Sequence, residues 1–273
     1  MLQLIVLREN AWVSTFPHRI TPIADEWLSG LLLRCDEMNC WSSGTTSAYL
    51  LRNSPYNASQ STYHTLIPPL WLLEELSELL AVPLHLLHTT TYLPELTHMY
   101  NLSKLPHPTL LNSSYFFHFC PECARNRLLR RVFMLAHITC CPLHGLALCQ
   151  QCPCGTPQRL FCRQAPPFTC HHCGLDWAHF PQFSVSPEDF ALRNDLLDWY
   201  GVFFARGTPM LFASALKLIR RRFPEKGAGG VRLLDGKTRF ALPDGRSPIS
   251  LGHLGDWLVS LNLSPSDLPG EMA

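Results

Sequence analysis

The chain of 273 residues lacks a dominant charge, a long apolar run and an export signal. Its 22 lysines and arginines nearly balance its 21 aspartates and glutamates, so the formal net charge of +1 excludes a strongly basic field over the whole protein. Any contact with nucleic acid would have to come from local patches. No window of about 18 uncharged apolar residues occurs, so no membrane span is expected. The first residues, MLQLIVL, are apolar, but the run is short and has no basic segment of the kind that opens an export signal. We therefore expect a cytoplasmic protein.

Sequence motifs of common enzyme classes are missing as well. The chain has no His-Glu-x-x-His, no glycine-rich phosphate loop, no Gly-x-Ser-x-Gly and no deaminase signature. Its acidic residues show no pairing at a spacing that would suit general acid and base catalysis. The sequence therefore predicts a protein without enzymatic activity.

Cysteine, in contrast, is abundant, since ten of the 12 cysteines lie between Cys120 and Cys173. Thiols stay reduced in the cytoplasm, so this density indicates bound metal and not disulfides. A tetrahedral zinc site needs two close pairs of ligands, and with four ligands it has no open position for catalysis. We predict two structural Zn²⁺ ions. The predicted ligands are Cys120, Cys123, Cys141 and His144 in a first set, and Cys152, Cys154, Cys170 and Cys173 in a second.

Two further cysteines leave the choice of ligands open. Cys140 adjoins Cys141, and we prefer Cys141 because it forms a Cys-Pro-x-His knuckle with His144. Cys149 could replace Cys154 in the second set, although the glycine after Cys154 lets the chain turn with positive φ.

A set with Cys149 approximates a RING-type cross-brace, the partner-docking module of ubiquitin ligases, in which the two metal sites interleave along the chain. A third interpretation is a sequence-specific zinc DNA-binding regulator, which would need side chains that read base edges. At 273 residues the chain can bury one large core or two modest ones.

Hydrophobic periodicity predicts short helices on both sides of the cysteine region. The clearest covers residues 69–81, with an apolar stripe of Leu72, Leu73, Leu76, Leu79 and Leu80. In the helix predicted over 24–38, one face carries Leu28, Leu31, Leu32 and Cys35. The remaining predicted helices are a short one that follows a turn at 42–46 and ends at Leu51, and those at 83–90, 186–206, 208–222 and 249–262. Asp235-Gly236 predicts the turn of a β-hairpin over 231–242.

The predicted fold is therefore mainly α with small zinc-ribbon elements, in three parts. Residues 1–105 form an N-terminal helical domain resembling a helix-turn-helix, and residues 106–182 form a tandem zinc-binding domain. Residues 183–273 form a helical C-terminal extension that contains the hairpin.

Two basic segments are candidate nucleic-acid contacts, since phosphates are bound by clustered lysine and arginine. The first could equally be a solvated helix face, and the second suits the C-terminal dipole of its helix. The residues are Arg125, Arg127, Arg130 and Arg131 in the first segment, and Lys217, Arg220, Arg221 and Arg222 in the second.

The order of the cysteine motifs resembles the TniQ/TnsD family of transposition target-selection proteins. The segments Cys120-Pro121-Glu122-Cys123 and Cys141-Pro142-Leu143-His144-Gly145 match its first pair of zinc knuckles. Cys152, eight residues after His144, lies where the family places the first cysteine of its next pair, which favours Cys152 and Cys154 as ligands over Cys149. Near the N-terminus, Pro22, Glu26, Leu28, Leu32 and Arg34 occupy family positions, whereas Trp27 replaces the usual serine and Leu31 the usual aromatic residue. The resemblance covers about residues 15–180.

This resemblance implies a non-catalytic adaptor in a prokaryotic cytoplasm. Family members connect a target-recognition module to the transposon's AAA+ ATPase, TnsC, and thereby select the insertion site. The recognition module is a DNA-binding domain of their own or a CRISPR effector with its guide RNA. The expected partners are thus TnsC, such an effector and DNA, together with a second copy of the chain in a homodimer.

Overall fold

The computed structural model describes residues 15–52, 68–95, 117–135, 138–206, 240–241 and 248–249. The described protein is mainly helical, as expected, and none of its helices is long and apolar enough to cross a membrane. The α-helices are α1 (Leu28–Met38), α2 (Thr45–Arg52), α3 (Leu70–Leu80), α4 (Leu84–His88), α5 (Pro121–Arg125) and α6 (Pro187–Arg206), and two 3-10 helices span Arg131–Met134 and Trp177–His179. Two short antiparallel strands, β1 (Phe240–Ala241) and β2 (Pro248–Ile249), pair Phe240 with Ile249.

The helix predicted from residue 24 begins at Leu28. Asp25 adopts a left-handed backbone conformation with a φ of 58°, and Glu26 forms an antiparallel bridge with Arg130. The amide of Leu28 donates to the carbonyl of Thr90 at 2.9 Å. The predicted start was wrong because these long-range backbone bonds replace the first helical turn, and apolar periodicity carries no signal for them.

Helix α1 is buried on nearly all sides. The predicted apolar face is buried as expected, and the opposite side is buried too. A Cβ atom on Gly30 would lie 3.0 Å from the Cβ of Leu129, so only glycine allows this close approach. Helix α1 is therefore the central helix of the described core. Its buried residues are Leu28, Ser29, Gly30, Leu31, Leu32, Leu33, Cys35 and Asp36.

A buried ion pair joins α1 to the turn before it. Glu26 is fully buried, and the Arg34 guanidinium donates to both of its carboxylate oxygens, at 2.6 Å and 2.7 Å. Arg34 also donates to the carbonyl of Thr21 at 2.8 Å, and the Glu26 carboxylate accepts from the amide of Ile23 at 3.0 Å. Both residues occupy positions of the family resemblance, and their contacts show that they hold the entry to α1.

Asp36 of α1 supplies the N-terminal cap of α2. Its carboxylate accepts from the backbone amides of Gly44 and Thr46 at 2.6 Å and 2.7 Å, and from the Thr46 hydroxyl at 2.6 Å. These amides belong to the first turn of α2, where no carbonyl of the helix is within reach. The turn predicted at 42–46 is thus held by a side chain from the preceding helix.

Helix α3 confirms its predicted stripe, since Leu72, Leu73, Leu76, Leu79 and Leu80 are all buried. The helix ends where Ala81 takes a left-handed conformation with a φ of 52°, and α4 follows after Pro83. Leu70, Glu74 and Glu78 lie four residues apart on the outer side and are exposed. The helix therefore keeps an acidic solvent face opposite its buried stripe.

One hydrophobic cluster connects the helices with the cysteine region and with α6. Trp177 lies at its centre, with its ring 4.9 Å from that of Phe117 and 5.0 Å from that of Phe119. From α6, Trp199 and Tyr200 enter the same cluster. Helix α6 begins at Pro187, after Ser186 as predicted, and Leu196, Trp199 and Tyr200 pack on this shared core.

The remaining predictions lie largely outside the described residues. These include helices 208–222 and 249–262, the Asp235-Gly236 turn, and Lys217, Arg220, Arg221 and Arg222. The hairpin over 231–242 is not confirmed, because the described partner of β1 is β2 on its C-terminal side.

Candidate metal centres

The four ligands predicted for the first ion converge in the structure. The ligand atoms of Cys120, Cys123, Cys141 and His144 all lie within 4.8 Å of one another. The Cys123 and Cys141 sulfurs are 3.8 Å apart, and His144 Nδ1 lies 3.4–3.5 Å from all three sulfurs. A tetrahedron with Zn–S bonds of about 2.3 Å and Zn–N bonds of about 2.0 Å has S–S edges of roughly 3.8 Å and S–N edges of roughly 3.5 Å. The cluster therefore fits a zinc ion in both donor type and size.

The second predicted set converges in the same way. Cys152, Cys154, Cys170 and Cys173 form a cluster within the same 4.8 Å limit. The sulfur of Cys152 lies 3.5 Å from that of Cys173, and the sulfur of Cys154 lies 3.8 Å from that of Cys170. Both separations are close to the roughly 3.8 Å edge of a four-thiolate zinc site.

Three of the ligand pairs are formed by similar backbone knuckles. Gly145, Gly155 and Gly174 each follow the second ligand of a pair, with φ of 61°, 84° and 75°. The amide of each glycine donates back to the carbonyl of the first cysteine, as Gly174 does to Cys170 at 2.9 Å. The turn brings both side chains to the same side, and the positive φ explains the glycine. In the fourth pair, Cys120 precedes α5, which starts at Pro121.

The two spare cysteines lie outside both clusters. Cys140 is buried and pairs its backbone with Ala147, while the Cys149 sulfur faces the carbonyl of Pro181 at 3.9 Å. The clusters are formed by consecutive ligand pairs and include Cys154. This order differs from the interleaved sites of a RING-type cross-brace.

The pKa values of the clustered thiols favour the binding of a cation. Hydrogen bonds from Cys120 and then Cys123 lower the pKa of the Cys141 thiol to about 2, whereas hydrogen bonds with Cys120 and Cys141 raise the pKa of Cys123. Hydrogen bonds with Thr156 lower the pKa of the exposed Cys154 to about 6. In the first cluster the Cys141 thiolate is thus favoured while the neighbouring Cys123 stays protonated. A divalent ion would remove this conflict, because thiolates are the form that binds metal.

The first predicted basic segment is engaged within the chain. Arg127 lies between Glu37 of α1, at 2.9 Å, and Asp176, at 2.8 Å, and stacks over the ring of Phe168 at 5.4 Å. These contacts connect α1 with the knuckle of the second cluster, since Asp176 forms a backbone bridge with Thr169. Arg127 therefore has a structural partner on each side.

The next two arginines are paired as well. Arg130 contacts Asp25 at 2.8 Å, and Arg131 contacts Glu95 at 2.7 Å and the carbonyl of Thr91 at 2.7 Å. Burial raises the pKa of Asp25, although both arginines counteract it.

Arg125 is the more accessible member of the segment, with 53% of its side chain exposed and a contact to Glu122 at 2.9 Å. The role of the basic segment in nucleic-acid binding stays a prediction, and the ion pairs leave Arg125 as its best-placed residue.

Sequence comparison extends these observations. The family model described as TniQ matches residues 17–148, a span that runs from before α1 through the whole first cluster. No curated protein matches the chain.

Proposed function

Because the chain belongs to the TniQ family through residues 17–148, we propose that it is a non-catalytic adaptor that connects a target-DNA recognition module to the AAA+ ATPase TnsC. The TniQ domain is associated with transposition target selection. The match covers the helical core and the first cluster together, and this coverage is the observation that carries the proposal. The recognition module would be a DNA-binding protein or a CRISPR effector with guide RNA.

Both clusters are proposed to hold Zn²⁺ in a structural role. Each offers four protein ligands at tetrahedral separations, so a bound ion would have no open position for a substrate. Cys152 and Cys170 belong to the same hydrophobic cluster as α1, so metal binding would stabilise the shared core. An adaptor benefits from such rigidity, because it must hold two partners at a fixed distance.

The outer face of α3 is our proposed contact surface for a protein partner. Helix α1 is buried and cannot serve, whereas Leu70 is 50% exposed and lies in line with the exposed carboxylates of Glu74 and Glu78. An apolar side chain beside two acidic ones suits a partner with a basic rim.

The adaptor proposal is tested by reconstituted transposition with the cognate ATPase, transposase and target selector. Omission of the chain should abolish targeted insertion while nucleotide hydrolysis by the ATPase continues. Insertion at the target with undiminished frequency in its absence would contradict the proposal. A footprint of the isolated chain at one DNA sequence would instead favour a zinc DNA-binding regulator.

The contact surface is tested with a charge reversal on α3. Glu74→Lys combined with Glu78→Lys should weaken pull-down of the ATPase or the target selector, with metal content and thermal midpoint unchanged. The control is Glu188→Lys, which reverses an exposed charge in the first turn of α6. If the α3 double variant and the Glu188→Lys control bind equally well, the α3 face is excluded as the contact surface, and the adaptor proposal is unaffected.

A further inference from the structure

Gln158 connects the second cluster to the aromatic core. Its side chain is fully buried. Its Nε2 atom donates to the Cys170 sulfur at 3.6 Å and to the carbonyl of Thr156 at 2.9 Å, and its Oε1 atom accepts from the indole of Trp177 at 2.9 Å. One buried amide thus contacts a predicted metal ligand on one side and a core tryptophan on the other.

The chemistry of the partners determines the orientation of this amide. An indole N–H can only donate, so the atom that faces Trp177 must be the carbonyl oxygen of Gln158. The amide nitrogen therefore faces Cys170, and its two hydrogens match its two acceptors. Trp177 is itself fixed, because its backbone amide donates to the carbonyl of Phe168 at 2.9 Å and its ring lies against Phe119.

We propose that Gln158 is a positioning residue of the second metal centre, which holds the Cys170 thiolate in place by an N–H···S hydrogen bond anchored on Trp177. The inference rests on the proposal that this cluster binds metal. A thiolate that binds a cation still carries negative charge and gains from a fixed donor, and residues that orient metal ligands commonly change metal affinity 10- to 100-fold when replaced. The backbone amides of the knuckle supply the other donors to this sulfur, so its side-chain donor comes from outside the ligand motif.

The bond also has a structural consequence. Cys170 and Trp177 lie in the same segment, on either side of the knuckle turn, and Gln158 lies in the strand-like segment after Cys154, where Gln151 pairs with Pro157. The amide therefore crosses between the two ligand pairs of the second centre. It therefore connects the two pairs noncovalently.

The test uses the full chain loaded with Co²⁺, whose thiolate charge-transfer bands report the geometry of the sulfur ligands. Gln158→Met keeps the length of the side chain but removes the N–H donor. We expect one of the two metal ions to be lost to a chelator about 10- to 100-fold more readily. The charge-transfer band of the four-thiolate centre should shift, while the ion held by His144 and its three cysteines should stay. Gln164→Met, at an exposed position, is the matched control.

Two further variants keep the test decisive if Gln158→Met does not fold. Trp177→Phe retains the aromatic ring but removes the indole donor, so the amide loses its anchor and the band should shift in the same direction. Gln158→Glu places an oxygen against the thiolate and should weaken binding further. If the wild-type chain binds fewer than two ions, the metal proposal itself fails. If it binds two and the variants match the control in release and spectrum, Gln158 has no positioning role.

Discussion

Replacement of Arg34 by methionine should destabilise the protein more than replacement of its partner Glu26 by glutamine. The Glu26 side chain is fully buried, whereas that of Arg34 is 15% exposed. In Arg34→Met the carboxylate is left buried without a counter-ion, while in Glu26→Gln the guanidinium can still reach water. Removal of one member of a buried pair costs about 3–5 kcal/mol. We therefore expect Arg34→Met near this range and Glu26→Gln well below it.

A double variant separates the ion pair from the packing around it. Glu26→Gln combined with Arg34→Met removes both charges, so it should recover part of the stability lost in Arg34→Met. Arg125→Met breaks the exposed contact with Glu122 and serves as the control. It should cost less than about 1 kcal/mol.

The pH dependence gives a second readout. Burial raises the pKa of Glu26, and the hydrogen bonds and charge of Arg34 counteract this only in part. A raised carboxyl pKa means that the folded state binds the proton more readily than the unfolded state. The stability contributed by this protonation is complete at low pH and is lost as the pH rises through the folded-state pKa. Without Arg34 that pKa rises further, so the deficit of Arg34→Met should grow as the pH rises from acidic to neutral.

The assay is the thermal midpoint of the metal-loaded variants, followed by circular dichroism. For a domain of this size about 1 kcal/mol corresponds to roughly 2–4 °C, so Arg34→Met should melt about 10 °C lower. A shift no larger than that of Arg125→Met, or a double variant that is less stable than Arg34→Met, would refute the buried-pair argument.

Three further predictions address the metal centres and the helix caps. Cys141→Ser should lower the metal content by one ion, measured by elemental analysis, whereas Cys140→Ser should leave it unchanged, and the reverse result would reassign the ligand. Asp36→Ala leaves the buried amides at the start of α2 without an acceptor. The variant should lose at least about 2 kcal/mol of unfolding free energy, measured by thermal unfolding. An unchanged stability would show that water replaces the carboxylate. Gly174→Ala should lower the unfolding free energy by about 1–2 kcal/mol. A Cβ at this position would meet nothing within 4 Å, so the positive φ is the whole source of strain. Gly174→Asn should lower the stability less, because asparagine tolerates this conformation better.

The two candidate metal centres are predictable from the sequence because their geometry is local. A knuckle needs two ligands a few residues apart and a glycine that can take positive φ, and all of these features are visible in Cys170-x-x-Cys173-Gly174. The apolar stripe of α3 is visible for the same reason, since helical periodicity places its leucines on one face. The choice between Cys149 and Cys154 was less local. It relied on the family resemblance, and the structure groups Cys154 with the other ligands.

The arginines show the limit of such reasoning. Four arginines within seven residues suggested a basic surface, yet the acidic partners of Arg127 lie far away in the chain, at Glu37 and Asp176. Charge density along a sequence does not reveal whether a counter-ion is brought to it by the fold. The start of α1 was misplaced for a similar reason, because Glu26 pairs its backbone with Arg130.

By itself, the sequence determined the composition of the two Cys/His clusters, the apolar face of each well-defined helix and the resemblance to the TniQ family. These depend on spacings of a few residues or on the order of motifs. Only the tertiary structure decided that α1 is buried on nearly all sides, that Asp36 caps the next helix and that Gln158 joins Cys170 to Trp177. Each of these depends on groups that meet through packing, and a buried polar group finds its partner by position in space, whatever its distance along the chain.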